Sequence, residues 1–368
     1  MPACSGGANR VEVIPTLPGD GDTNTAKPPP APPVTKPDDP WAEREDLIAG
    51  PPAKAPRAVA LPSIERFTLP NGLSVIAIKD ARLPVVNVQL AVRAGQVDSP
   101  RDKMGVAQLT AQMLRRGTRT RSASRIADEV DYAGASLSTS AGFEFTLISC
   151  SVRSENVRTC LNLVPDVTVN ATFPAADMDQ VKQQLLAVVG QRKDSAGQLA
   201  DAHLSNLLWG EEHVRGWPMS GRTVAAITRD DLVRWHRSWF APNNAVVVVA
   251  GDIDSKRLRL EFNRSLRWWQ RRNLPTRPSF SEPDLTGTKV RLIDKPGQTQ
   301  SHIRIGQLGI AHGDPAYFDH LVFDYALGGG AFASRLMQVV RAAEGKAYGA
   351  STRFDRHASR GEYVTSTF

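Results

Sequence analysis

The stretch Met104-Gly105-Val106-Ala107-Gln108-Leu109-Thr110-Ala111-Gln112-Met113-Leu114 reads as an apolar helix with two glutamines set into it four residues apart. At that spacing both amides lie on one helix face. A strand-like run, Val85 to Val92, precedes it and a Gly-Gln-Val-Asp-Ser-Pro loop leads in, so the helix leaves a sheet directly and lies against it. Two amides on such a face need partners. Either they find them at the solvent edge of a core helix, or the face has a use that only the rest of the chain identifies.

Outward from this helix, residues 58–275 spell one domain. Arg66 to Ile78 alternates on both sides of Asn71-Gly72, a strong hairpin signal, and Val85 to Val92 supplies a third strand. Ser122 to Gly134 is a helix with a Ser cap and a Gly stop, and Ala135–Ser140 with Phe143–Val152 is a second hairpin. Helices follow at 154–164, 174–193, 197–209 and 228–240, then a buried strand at 244–251 and a closing helix at 254–270. Strands, helices, strands, a run of helices and a late strand predict an α+β domain, with helices layered on a mainly antiparallel sheet.

Residues 276–368 repeat the opening of that order. After a Pro/Ser/Glu linker from 275 to 285 come strands at 288–293 and 301–308 and a helix at 314–327. Gly328-Gly329-Gly330, a helix at 333–343 and strands near 347–354 and 362–368 complete the segment. Half a copy of the domain leaves a sheet edge bare, which implies a truncated second domain or dependence on a partner.

Residues 1–57 are a Pro-rich tether with Pro28-Pro29-Pro30-Ala31-Pro32-Pro33 at its centre. Ala3-Cys4-Ser5-Gly6-Gly7 resembles the end of a bacterial lipoprotein signal without its hydrophobic segment. Cys4 is therefore a candidate lipid anchor, placing the chain in the cell envelope, periplasmic or lipid-anchored; an incidental thiol and a cytoplasmic protein is the alternative. No apolar run has the length of a membrane span. The formal charge of +7 comes from Lys and Arg scattered between carboxylates, which argues against nucleic acid. Three cysteines without CxxC spacing, and seven histidines without a helical pair at metal-binding spacing, predict neither a zinc site nor a disulfide framework.

Several segments together resemble one family. Leu69-Pro70-Asn71-Gly72-Leu73, Gly105-Val106-Ala107, the stretch from Trp209-Gly-Glu-Glu-His213 to Gly221-Arg222, the segment Trp235 to Asn244 and Gly251-Asp252-Ile253-Asp254 are similar to the insulinase/pitrilysin zinc metallopeptidases. So is Ser334-Arg335-Leu336 with Arg341 and Tyr348. The resemblance implies two similar α+β domains that clasp a peptide between them.

It also implies where chemistry should sit. In the family the inverted motif H-x-x-E-H lies on the opening helix, two His holding zinc and the Glu activating its water. Those places are Gln108, Ala111 and Gln112 here, and the third ligand, a Glu, falls at Val188 or a close neighbour. An amide oxygen is a poor zinc ligand beside imidazole, and Ala111 cannot take a proton. The expectation is a chain that holds no catalytic zinc and hydrolyses nothing alone. Arg341 and Tyr348 match the family's Arg and Tyr seven apart, which hold substrate backbone and stabilise the oxyanion. Glu211-Glu212-His213 reads as structural, and the triple glycine, lacking Lys-Ser/Thr after it, is no phosphate loop. The reading that follows is a non-catalytic subunit whose Arg341 and Tyr348 complete the active site of a zinc-bearing partner. A peptide-binding or scaffold protein without a protease partner is the alternative, and an active protease with displaced ligands is a third.

Overall fold

Alternation around Asn71-Gly72 produces the hairpin that opens the main sheet in the computed structural model, which describes residues 10–14 and 62–368. Within the segment expected to be a tether, Arg10–Ile14 is instead a strand, β1. Its Val-Glu-Val-Ile run supplies the β-branched residues that extended backbone favours. The rest of the tether, with Cys4, lies outside the described residues. The hairpin strands are β2 (Ile64–Thr68) and β3 (Ser74–Lys79). Its turn is tied down from afar, because Asn71 Nδ2 donates to the carbonyls of Leu266 and Trp269 at 3.0 and 3.1 Å.

Next come β4 (Val85–Val92), α1 (Val106–Met113), α2 (Ala123–Tyr132), β5 (Ser136–Ala141) and β6 (Thr146–Arg153). Ser122 Oγ caps α2 by accepting from Arg125 N at 3.2 Å. Helices α3 (Val157–Val169), α4 (Ala175–Asp194), α5 (Ala196–Trp209), α6 (Gly221–Ala225) and α7 (Arg229–Trp239) follow. Strand β7 (Ala245–Gly251) and helix α8 (Ser255–Ser265) close the unit, α8 ending earlier than its sequence pattern suggests.

The main sheet runs β2-β3-β7-β4-β6-β5. The late strand β7 is parallel to β3 and antiparallel to β4, so it locks the hairpin to the rest of the sheet. Val86, Val88, Leu90 and Val92 of β4 and Val247 and Val249 of β7 are fully buried under the helices, as alternating strands on a one-sided core require. The α+β prediction with a mainly antiparallel sheet is what the chain forms.

Cys150 on β6 and Cys160 on α3 both face this core and form a disulfide with Cα atoms 5.5 Å apart, which corrects the sequence expectation. A spacing of ten residues carries no motif; only the strand-to-helix turn brings the two together.

The second segment holds β8 (Lys289–Ile293), β9 (Ile303–Leu308), α9 (Tyr317–Asp324), β10 (Ala350–Phe354) and β11 (Glu362–Thr367). Its sheet order, β10-β11-β9, copies β5-β6-β4 with the same antiparallel pairings. In the main sheet β7 covers the free edge of β4; among the described residues no strand covers the corresponding edge of β9, and β8 pairs with β1 in parallel. Around Gly328-Gly329-Gly330 the two expected helices widen: Tyr325–Gly329 and Met337–Ala343 are π-helical. A side chain at Gly328 would come within 2.6 Å of Thr352 N, so glycine there lets this wide turn rest on β10. Helix α9 and the segment through these turns leave Phe318, Val322, Phe332 and Val339 exposed.

The predicted linker is not free. Phe280 packs on the main core and against His213 and Trp217, and Arg277 lies over the Trp239 ring, 5.4 Å from its centre. The small sheet docks on α5 through Leu204, Leu208, Trp209 and Val364. Gly306 on β9 makes that approach possible, since a Cβ there would lie 2.8 Å from the Leu204 side chain.

Candidate functional site

Helix α1 enters from Gly105 and packs against α4, α7 and β5, which makes one side of it core. Ala107, Leu109, Ala111 and Met113 are fully buried. Gln108 and Gln112 lie beside them, half-buried. Gln108 Oε1 is buried with no hydrogen-bond partner among the described residues. The long helix α4 carries Val188, which is 45% exposed, while its neighbour Val189 turns into the core at 6%.

This donor set does not fit zinc. The α1 face offers two neutral amides and a methyl group, where a catalytic zinc asks for imidazole or carboxylate ligands and an acid–base group for its water. Among the described residues no cluster of three His, Cys, Asp or Glu side chains is arranged to hold a metal ion. In the loop before α1, Asp98 is a buried carboxylate whose pKa is raised by burial. Its Oδ2 accepts from Gly95 N at 3.0 Å, and the more distant Arg277 charge opposes the shift. These contacts pin the loop that aims α1, a role invisible in the linear order because Arg277 arrives from the far side of the domain.

Arg341 and Tyr348 are brought together. The wide turn Met337–Ala343 and the approach to β10 place the Arg341 guanidinium over the Tyr348 ring at 4.4 Å and over Phe332 at 4.8 Å. Tyr348 is 70% exposed. Arg341 itself is half-buried between the two rings. Among the described residues its guanidinium N–H groups have no hydrogen-bond acceptor, so they remain available to one, and the phenol adds one more donor. The main neighbours of α1 are elements of the first unit, so this pair and the α1 face are two separate clusters within the chain.

His213 is built into packing. It stacks on Trp209 at 4.3 Å, its Nδ1 accepts from Arg215 N at 3.1 Å, and burial with the nearby Arg215 lowers its pKa to about 4. His236 behaves alike: Nε2 donates to Thr168 O at 2.7 Å, and burial lowers its pKa from 6.5 to about 4. Both imidazoles are neutral when folded, whereas the unfolded chain takes up protons below about pH 6.5. The stability due to neutral His236 is therefore complete above pH 6.5 and is lost as pH falls towards 4, about 3 kcal/mol in all. His236→Gln keeps an N–H donor and should flatten the fall in urea midpoint between pH 7 and pH 4.5; an unchanged slope would refute the assignment.

A model of the insulinase family, peptidase family M16, matches residues 74–216, and a model of the M16 peptidase inactive domain matches residues 226–366. The uncharacterized zinc protease YmxG of Bacillus subtilis is 24% identical over 290 residues, covering 77% of this chain and 68% of that protein. The non-peptidase homolog YmxG of Helicobacter pylori is 26% identical over 276 residues, 74% of this chain and 63% of that protein. The chain thus spans about two thirds of the length of these relatives. The solved peptidase M16 inactive domain from Pseudomonas fluorescens aligns with a TM-score of 0.77 at 25% identity, over 83% of this chain and 74% of that one.

Proposed function

This chain belongs to the insulinase family, peptidase family M16, and from that premise we propose that it is a non-catalytic member that binds peptide and completes the active site of a zinc-bearing partner subunit. The observation that carries the reading is a division of parts. Gln108, Ala111 and Gln112 stand at the metal-binding places of α1 and cannot serve them, while Arg341 is stacked on the exposed Tyr348. Such a pair suits the carbonyl oxygens of an extended peptide and the oxyanion that forms on one of them. The exposed apolar face of the second segment is further support for a partner. The Helicobacter pylori relative that bears the name non-peptidase homolog agrees with loss of activity in this chain. The Cys150–Cys160 bridge suits an oxidising compartment and supports a place in the cell envelope, with Cys4 as the proposed anchor.

The experiment is peptide cleavage by the chain with and without a candidate zinc-bearing partner. The partner's activity should rise on adding this chain, and Arg341→Ala or Tyr348→Phe should cut that gain tenfold or more. If either variant supports full activity, the complementing role is wrong. Peptide binding by the chain alone, with no gain in the partner's cleavage, would favour the scaffold alternative.

A further inference from the structure

Four of the basic residues dispersed along the sequence are brought to one place by the fold. A cavity of about 290 Å3 opens between α7 and the loop after α3, and four arginines line it: Arg119, Arg229, Arg237 and Arg272. No carboxylate lines it. None of the four guanidiniums forms an ion pair among the described residues, whereas nearby Arg121 and Arg234 do.

Two of the four are held by backbone. Arg229 donates to the carbonyls of Phe173 and Thr172 at 2.7 and 2.8 Å, and Arg272 donates to Arg237 O at 2.6 Å. These bonds fix position and leave the charge uncompensated. The Arg119 and Arg237 side chains have no hydrogen bond among the described residues. Four like charges around one concavity repel each other, and an anion entering it relieves that repulsion. Phe173 and Val233 supply an apolar wall beside the charges.

We propose that this cavity binds a phosphoryl group, carried by a small phosphorylated molecule or by a phosphate-bearing lipid headgroup. A single carboxylate would neutralise a quarter of the charge with two acceptor oxygens. A phosphoryl group brings close to two negative charges and three acceptor oxygens, and guanidinium forks grip such oxygens in pairs. The apolar wall receives the part of the ligand next to the phosphate. No residue of α1 lines this cavity, nor does Arg341 or Tyr348, and the proposal is independent of the proposed peptidase role.

The test titrates the whole chain with inorganic pyrophosphate by calorimetry at fixed ionic strength, and separately measures co-sedimentation with phosphatidylcholine vesicles containing phosphatidic acid. Arg119→Ala with Arg237→Ala should weaken binding tenfold or more, since neither side chain is bonded to the fold. Arg66→Ala with Arg257→Ala removes the same charge outside the cavity and should change affinity less than twofold. Arg237→Lys keeps the charge but loses the fork and should fall between. Pyrophosphate binding alone assigns a soluble ligand; vesicle binding alone assigns a headgroup; both, if lost in the cavity variant, assign the phosphoryl group itself. Absence of binding by either probe, or equal weakening by the cavity and remote pairs, overturns the proposal. Thermal midpoints of all variants, expected to match the parent, separate loss of the site from loss of the fold.

Discussion

Asp166→Ala is expected to destabilise the protein by about 3–5 kcal/mol, read as the change in unfolding free energy from urea denaturation. Asp166 lies in α3 at 7% exposure and its two oxygens are fully used. Oδ2 accepts from Thr118 Oγ1 and Arg121 Nη1, each at 2.8 Å, and Oδ1 accepts from Asn170 Nδ2 at 2.8 Å. Through them α3 holds the turn from Thr118 to Arg121 that leads into α2. Removing the carboxylate leaves a buried hydroxyl without its acceptor and a half-buried guanidinium whose one remaining charged partner among the described residues is Glu129, 3.0 Å away. Asp166→Asn, which keeps an acceptor and loses the charge, should cost about half as much. A loss below about 1 kcal/mol for the alanine variant would show that Glu129 and solvent satisfy Arg121 without Asp166.

Trp209→Ala is the second large effect, about 3–5 kcal/mol, as for other buried aromatic truncations. Trp209 is 3% exposed at the end of α5 and belongs to the small cluster with Leu204, Leu208 and Val364 that joins the second sheet to the first unit. Its Nε1–H donates to Glu362 Oε1 at 2.8 Å, a buried carboxyl whose pKa is raised by burial and held down in part by this bond. Arg215 lies 5.2 Å over the same indole and pairs with Asp355 at 2.9 Å. One substitution thus removes apolar contact and one of the two side-chain hydrogen bonds to Glu362, leaving that from Ser205. The expected result beyond the global loss is local: limited proteolysis should cut beyond about residue 280 in the variant while residues 62–275 resist. Trp209→Phe should retain much of the packing and still weaken the attachment. Cleavage evenly spread over both parts would mean that the two sheets unfold as one body and that Trp209 is not their joint.

The alternation around Asn71-Gly72, the Ser122 and Thr228 caps and the valine run of β7 were all legible, because each is a local rule acting on neighbouring residues. The repeat of strand, helix and strand order was legible for the same reason, and it appears as two sheets with matching pairings. The widening of the second segment's helices was not legible, since it depends on how Gly328 rests on Thr352. Nor was the Cys150–Cys160 bridge, which depends on two core-facing positions meeting across a turn.

By itself, the sequence determined the α+β class, the family likeness and the absence of ligating side chains at Gln108, Ala111 and Gln112. These are matters of residue identity and short spacing. Tertiary structure alone decided that Arg341 stacks on Tyr348, that Val188 faces solvent while Val189 faces the core, and that four arginines from three separate parts of the chain share one cavity. The physical reason is that chemistry needs groups within a few ångströms of each other, and only the packing of helices on sheets sets distances between residues far apart in the chain.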